Sequence, residues 1–144
     1  MSIEGVLVTV ARDVMTPEPT CVSETETVQA AAEKLTQLGI GSMPICGSDN
    51  RLKGMLTDRD IVIKVIGQGR DPHDVTAGEL GQGKPVTIGA DDDVSEVLQT
   101  MIDHKVRRLP VIDGHDLVGI VAVADVVRAA PEPQLGGLIE ALSS

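Results

Sequence analysis

The feature that most constrains this chain is an internal repeat. Residues 54–60 read GMLTDRD and residues 119–125 read GIVAVAD, and each motif leads into a run rich in Val and Ile. Upstream of these motifs, residues 11–53 align with residues 77–118 after one deletion in a turn. The identical anchors are Pro44 and Pro110, Gly54 and Gly119, and Asp60 and Asp125. Self-similarity at a fixed spacing indicates a duplicated structural unit.

Both copies carry the same succession of secondary-structure signals. β-Branched stretches at residues 21–22 and 86–88 predict short strands, and apolar residues at helical spacing predict helices across residues 28–38 and 94–101. Two apolar runs around a turn then predict a hairpin in each copy, and a short helix follows. The predicted order is strand, helix, strand, strand, helix, written twice.

Domain boundaries follow from this repeat. We expect residues 8–69 to form the first repeat, residues 70–76 a connector, residues 77–130 the second repeat, and residues 131–144 an amphipathic tail. A single repeat would leave one apolar sheet face uncovered. The sequence therefore predicts an α+β fold in which two repeats pack about a pseudo-twofold axis, with a cleft for each copy between them.

Composition and charge exclude several classes of function. The formal net charge of −10 disfavours nucleic acid and anionic membranes as partners. The chain has no Phe, Trp or Tyr, so it lacks the stacking platforms of single-strand binders. No apolar run approaches the roughly 20 residues of a membrane span, and the acidic Glu4 makes the start a poor signal peptide. We expect a cytoplasmic protein with no nucleic-acid or membrane partner.

No catalytic constellation or resident cofactor is predicted. The chain shows no nucleophile-elbow pattern around a Ser and no phosphate-binding P-loop. His73 and His115 fall in predicted turns, and His104 ends a predicted helix. We therefore expect this protein not to be an enzyme.

The duplicated unit, with G-h-x-T-x-x-D at its end and a Pro in its middle strand, resembles the CBS domain. Two such units in tandem resemble the CBS pair, or Bateman module, and are most similar to small stand-alone CBS-pair proteins of actinobacteria. The resemblance covers nearly the whole chain. It implies a regulatory module that binds an adenosine-containing ligand (AMP, ADP, ATP, NAD or S-adenosylmethionine) in the clefts between the repeats.

The resemblance also implies which residues contact that ligand. By position, the ribose-binding carboxylates would be Asp60 and Asp125, and Thr57 would lie beside the sugar and phosphate. The implied adenine walls are Ile40, Ser42, Met43 and Pro44 in the first repeat and Val106, Arg107, Arg108, Leu109 and Pro110 in the second. A carboxylate suits ribose because two vicinal hydroxyls can donate to its oxygens. The alternative is that these residues only cap a helix or form a local turn.

Basic residues in or beside the same segments would favour a phosphate. They are Arg59, Lys64, Lys105, Arg107 and Arg108. Guanidinium groups bind phosphate oxygens bidentately, and the helix start after each motif is expected to add positive potential and free amides. Ordinary surface salt bridges are the alternative.

The two copies differ at the motif itself. Ala122 and Ala124 stand where the first copy has Thr57 and Arg59. We therefore expect two unequal sites, with stronger nucleotide binding at the first. Such a module would act as a sensor that signals to an unidentified partner protein, and we expect a homodimer because twofold closure is the common solution for exposed helical faces.

Cys21 and Cys46 support a rival function. They fall on neighbouring predicted strands, where the second copy has Thr87 and Ile112. Buried apolar packing, a disulfide or redox pair within or between subunits, and soft metal ligation with a histidine all remain open. The absence of CxxC or HxxxH spacing argues against a metal site. The rival function is a redox- or stress-responsive CBS-pair protein with little or no nucleotide binding.

Overall fold

Two β-sheets organise the chain in the computed structural model, which describes residues 9–81 and 85–129. Each sheet belongs to its own compact unit. Of the described residues, the first-repeat unit holds 20–81 and 85, and the second-repeat unit holds 9–19 and 86–129. The α+β class and the predicted order of strands and helices are confirmed.

The elements follow one another as a mixture of short strands and helices. In chain order they are α1 (Ala11–Val14), β1 (Thr16–Pro17), β2 (Val22–Ser23), α2 (Val28–Leu38), β3 (Ser42–Cys46), β4 (Leu52–Thr57), α3 (Asp58–Lys64), a 3-10 helix (Ile66–Gln68), α4 (Ala77–Leu80), β5 (Ile88–Gly89), α5 (Val94–His104), β6 (Arg108–Asp113), β7 (Asp116–Ala122) and α6 (Val123–Ala129). Within residues 9–81 and 85–129, no helix has the length and apolar character that crossing a bilayer requires.

The first-repeat unit contains a three-stranded sheet in the order β2–β3–β4, with β2 parallel and β4 antiparallel to β3. Val28, Ala31 and Leu35 recur at helical spacing and pack from α2 into one apolar cluster with Met43 and Ile45 of β3. Because the chain has no aromatic residue, aliphatic interdigitation alone fills this core.

The second-repeat unit repeats this plan and adds a strand. Its sheet has the order β1–β7–β6–β5, and β5 and β7 flank β6 as β2 and β4 flank β3. The extra strand β1 pairs antiparallel with β7, so that Thr16 lies opposite Ile120. Leu98 and Met101 of α5 pack with Leu109 and Val111 of β6 in the core.

Four short elements were not predicted from the sequence: α1, β1, the 3-10 helix and α4. Each has four residues or fewer, too few for periodicity to reveal. For α4 a signal was present, since Thr76 and Glu79 fit the T-x-x-E capping box, and the Glu79 side chain accepts the Thr76 amide at 2.9 Å.

Compact units and sequence repeats are offset from each other. Residues 9–19 precede the first repeat's strands but group with the second-repeat unit, whereas residues 70–81 group with the first-repeat unit. The boundaries at residues 69, 76 and 130 describe the repeat in the sequence and stay a prediction. The predicted tail at residues 131–144 lies outside the described residues.

Candidate functional site

The motif carboxylate of the first repeat lies in the first turn of α3 and caps it. Thr57 is the residue before the helix, and its Oγ1 accepts the Asp60 amide at 3.0 Å. In return Asp60 Oδ2 accepts the Thr57 amide at 3.2 Å. The other oxygen, Oδ1, lies 3.2 Å from Lys64 Nζ one turn later, and the Asp60 side chain is 22% exposed.

The second repeat keeps the carboxylate and loses the hydroxyl. Asp125 Oδ2 accepts the Ala122 amide at 2.9 Å, the same bond that Asp60 makes. Its Oδ1 lies 2.8 Å from Nη2 of Arg128, and the Asp125 side chain is 16% exposed. Since Ala122 has no hydroxyl, the α6 motif keeps only this half of the reciprocal cap.

Capping and ligand binding are compatible at these carboxylates. Each carboxylate has about four lone-pair positions, and the contacts above use one on each oxygen. A ribose hydroxyl can donate to Oδ1 only beside or in place of the ammonium of Lys64, or the guanidinium of Arg128 in the second repeat. These cations would therefore compete with a sugar for the motif carboxylates.

The backbone amides at the start of α3 were expected to be free to bind phosphate, but in the structure they already donate to other acceptors. The Asp58 amide donates to the Gly41 carbonyl at 2.9 Å, and the Arg59 amide donates to Asp58 Oδ1 at 2.8 Å. The Asp60 amide is bonded to Thr57, as described above. At α6 the first amide is likewise used, because Val123 donates to the Arg107 carbonyl at 2.9 Å. At α3, a phosphate would therefore have to rely on side-chain donors.

The strands of the predicted adenine walls each present two faces. In β3, Met43 faces the apolar core and is 1% exposed, and Leu109 of β6 does the same. Their side chains are thus unavailable to a ligand, and any contribution from them would come through the backbone. Ser42 and Pro44 alternate with Met43 and lie on the opposite face of the sheet.

Register decides which residues share that opposite face. Ser42 lies opposite Thr57, and Pro44 lies opposite Met55, across the β3–β4 ladder. In the second repeat, Arg108 lies opposite Ala122 and Pro110 opposite Ile120. Met55 and Ile120, both half-buried, were missed from the sequence. The alternation of side chains along β4 and β7 was the signal that could have found them.

The remaining predicted ligand residues lie at the strand starts and on α3. Ile40 and Val106 are half-buried and pack against the two apolar clusters. Arg59 and Arg107 are exposed, and Arg108 at the start of β6 is half-buried. A role for these residues in binding stays a prediction.

The two cysteines lie at the far end of the same sheet from the motif. Cys21 and Cys46 are joined by a disulfide with a Cα–Cα distance of 5.9 Å. Cys21 comes directly before β2, and Cys46 ends β3, the strand that begins at Ser42. The disulfide therefore fixes one end of the strand whose other end carries the predicted adenine wall.

Comparison with known families identifies both repeats. The profile of the CBS domain matches residues 11–67 and residues 77–132. The chain is 48% identical over 136 residues to Hypoxic response protein 1 from Mycobacterium tuberculosis, an alignment that covers 94% of this chain and 95% of the relative. The resemblance inferred from the repeated motif is thus confirmed.

Solved structures agree with this result. The crystal structure of Hypoxic Response Protein I, which contains two coordinated zinc ions, matches with a TM-score of 0.80 and 51% identity, over 85% of this chain and 100% of that one. CBSX2 in complex with AMP matches with a TM-score of 0.73 and 25% identity, over 84% and 95% of the two chains. The CBS pair of MJ0100 with 5-methylthioadenosine and S-adenosyl-L-methionine matches with a TM-score of 0.74 and 26% identity, over 85% and 95%.

In the part of the chain that the structure describes, the donor groups do not fit a zinc ion of the kind that this relative contains. Among residues 9–81 and 85–129, no group of three or more His, Cys, Asp or Glu side chains is arranged to hold a metal. The disulfide withholds both thiolates, which are the softest ligands available. The His73 ring pairs with Asp71, and the His104 ring lies 3.1 Å from the Thr100 carbonyl.

Proposed function

Because this chain belongs to the CBS-domain family and carries two CBS domains, we propose that it is a regulatory module that binds an adenosine-containing nucleotide and signals to a partner protein. CBS pairs are regulatory modules rather than enzymes. The proposed ligand class is AMP, ADP, ATP or NAD, and the proposed location of the protein is the cytoplasm.

One observation carries this proposal: two structural relatives were crystallised with adenosine compounds, AMP in CBSX2 and two sulfur-containing adenosines in the CBS pair of MJ0100. The shared chemical group of these ligands is the adenine riboside. A binding site for it needs acceptors for the ribose hydroxyls, and Asp60 and Asp125 are partly exposed carboxylates placed alike in the two repeats.

The proposed sites are unequal. The first repeat has Thr57, whose hydroxyl can still donate while its oxygen accepts the Asp60 amide, and the exposed Arg59. The second repeat has Ala122 and Ala124 at these positions. Loss of a hydroxyl and a cation weakens the recognition of a sugar phosphate. We therefore place the stronger nucleotide site at the first repeat.

Calorimetric titration with AMP tests this function. Asp60→Asn keeps an oxygen for the helix cap but removes the charge, and we expect it to weaken AMP binding by about tenfold or more, the value of a charged hydrogen bond. Asp125→Asn should have a smaller effect. Asp58→Asn is the matched control, because it makes the same charge change on the same helix outside the motif position.

Equal losses in the Asp60 and Asp125 variants would contradict the asymmetry, and absence of AMP, ADP, ATP and NAD binding by the unaltered protein would contradict the function. Co-purified nucleotide is easy to recognise, because a chain without Trp, Tyr or Phe contributes little ultraviolet absorbance of its own.

A homodimer is part of the same proposal. Val62, Ile63 and Ile66, on α3 and the 3-10 helix that follows it, are 59%, 43% and 54% exposed, and a second copy would cover such an apolar surface. Light scattering should then give twice the mass of the chain. Val62→Asp should shift that mass toward the monomer.

The Cys21–Cys46 disulfide favours a second candidate function, a redox- or stress-responsive protein in which nucleotide binding is weak or absent. The name of the relative, Hypoxic response protein 1, supports a stress response. Mass spectrometry after thiol alkylation tests this candidate: the disulfide should form and reopen in buffers of oxidised and reduced glutathione.

A further inference from the structure

The two residues of the disulfide differ in their exposure. Cys46 is 6% exposed, whereas Cys21 is half-buried at the start of β2. Thiol–disulfide exchange requires an approach to one particular sulfur. A small thiol or disulfide from solution therefore reaches Cys21 more readily than Cys46.

The charges near Cys21 favour its thiolate. Lys34 Nζ donates to the Cys21 carbonyl oxygen at 3.2 Å, and that oxygen is only a few covalent bonds from the sulfur of the same residue. The ammonium is therefore nearer than the screening length of about 10 Å at 0.1 M salt. A nearby cation increases the thiolate fraction of a cysteine.

Glu26 opposes this effect from the loop before α2. Its Oε1 lies 2.9 Å from Lys34 Nζ. The Ser23 amide, followed by Lys34, holds the pKa of Glu26 below its usual value, so the carboxylate is ionised at neutral pH. Glu26 therefore offsets part of the effect of the ammonium on Cys21, and the variants below separate the two contributions.

The surroundings of Cys46 have the opposite character. Glu24, Asp49 and Lys53 crowd the position that a side chain on Gly47 would take, directly after Cys46. Lys53 pairs with Asp49 at 3.4 Å, which leaves the charge of Glu24 in excess. Burial and this negative charge both disfavour a thiolate at Cys46.

We propose that Cys21 is a site of reversible modification by low-molecular-weight thiols, activated by Lys34, through which the Cys21–Cys46 disulfide closes and opens. This inference rests on the second candidate function. In the second repeat, Thr87, Ile112 and Thr100 replace Cys21, Cys46 and Lys34, so all three parts of the device are present in one repeat and replaced in the other.

The chemistry is two successive exchanges. The Cys21 thiolate attacks one sulfur of a low-molecular-weight disulfide, whose S–S bond breaks, and a thiolate leaves as the mixed disulfide forms on Cys21. Cys46 then loses its proton to solvent, and its thiolate attacks the Cys21 sulfur and expels the second small thiolate. One small disulfide is reduced to two thiols as two protein thiols are oxidised. Reduced glutathione reverses the sequence by attacking Cys21.

The test measures the rate of glutathionylation against pH. In Cys46→Ser protein, where Cys21 is the only thiol, the rate with oxidised glutathione is followed by mass spectrometry over about pH 6 to 10. Adding Lys34→Gln should raise the midpoint of this profile by about 0.5 to 1 unit. Lys34→Arg should restore it, and Glu26→Gln should lower it. Cys21→Ser protein should react about tenfold more slowly than Cys46→Ser protein.

The inference is overturned if Lys34→Gln leaves the midpoint unchanged, or if Cys46 reacts faster than Cys21. Either result leaves the redox function standing, provided that the unaltered protein still forms and reopens its disulfide in glutathione buffers. If the unaltered protein does not interconvert, both the function and the inference fail. Circular dichroism of each variant checks that the fold is kept.

Discussion

The two sheets share the same strand pairing, but each is stabilised by an additional feature that the other lacks. Val22 pairs with Ile45 in the first repeat as Ile88 pairs with Val111 in the second. Both central ladders shift register at the equivalent step, after Ile45 and after Val111. Yet the first sheet is tied by a disulfide, whereas the second gains the edge strand β1. Buried apolar residues maintain the shared strand pairing in both sheets. The additional link, a disulfide in one sheet and an edge strand in the other, differs between the repeats.

Helix ends in the two units show the same divergence. The hydroxyl of Thr57 completes the cap of α3, and α6 has Ala122 at that position. At the C-terminal ends of the longer helices, the residue that follows α2 is Gly39 with φ 65°, and the residue that follows α5 is Lys105 with φ 53°. The same conformation is therefore reached with different side chains, at different energetic cost.

Of the changes that test this difference between the repeats, removal of the disulfide should have the largest effect on the free energy of unfolding. It closes a loop with a sequence separation of 25 residues, so replacing Cys21 and Cys46 by Ala should lower the free energy of unfolding by about 3 kcal/mol. Urea denaturation of the oxidised proteins measures the difference. In a reducing buffer the two proteins should become nearly equal, and a difference that persists there would point to packing instead.

The reciprocal experiment introduces a disulfide at the equivalent positions of the second repeat. Thr87→Cys with Ile112→Cys would transfer the link to the second-repeat unit, where the strand register is the same. The gain should be smaller than the loss above, because the half-buried Ile112 gives up apolar contacts. A link that fails to form would show that the shared register does not extend to the side chains.

Exchanging the helix caps should have an intermediate effect. Thr57→Ala removes the hydroxyl that accepts the Asp60 amide and should cost about 1 kcal/mol, and Ala122→Thr should recover a similar amount at α6. Thermal melting of each variant, compared with Thr57→Ser as a control, measures both changes. A neutral Thr57→Ala would mean that the Asp60 carboxylate alone holds the start of α3.

An effect no larger than that of the cap exchange is expected at the helix end. Space is available for a side chain at Gly39, since among the described residues no atom outside its local backbone and chain neighbours lies within 4 Å of the position of an added Cβ. Gly39→Ala should therefore cost only the backbone strain of the left-handed conformation, about 1 kcal/mol. Urea denaturation measures this cost. Gly39→Asn is the control, because Asn enters the left-handed conformation more readily than Ala, and an equal loss in both variants would contradict backbone strain as the cause.

Much of the fold could be predicted from local signals in the sequence. The spacing of Val28, Ala31 and Leu35 predicted α2, and two apolar runs around a turn predicted the hairpin in each repeat. Both signals depend on near neighbours only. The start of α5 carries a local signal of the same kind, because Asp93 and Glu96 have the three-residue spacing of a helix cap, and the Asp93 side chain accepts the Glu96 amide at 2.9 Å.

Part of the candidate site was beyond such signals. Met43 and Leu109 looked available for a ligand, but pleating turns their side chains into the cores. The start of α3 looked like a source of free amides, but the Gly41 carbonyl takes the first of them. These outcomes depend on which strand lies beside which helix, and spacing along the chain does not carry that information.

The sequence by itself determined the duplication, the aliphatic character of the cores, the order of the elements and the loss of Thr57's hydroxyl from the second repeat. The tertiary structure decided the addition of β1 to the second sheet, the pairing of Cys21 with Cys46, and the position of Lys34 beside them. The features that the sequence determined depend on residue identity or on residues that are close together in the chain. The features that the tertiary structure decided are contacts between residues distant in the chain, and only the packing of whole elements brings these residues together.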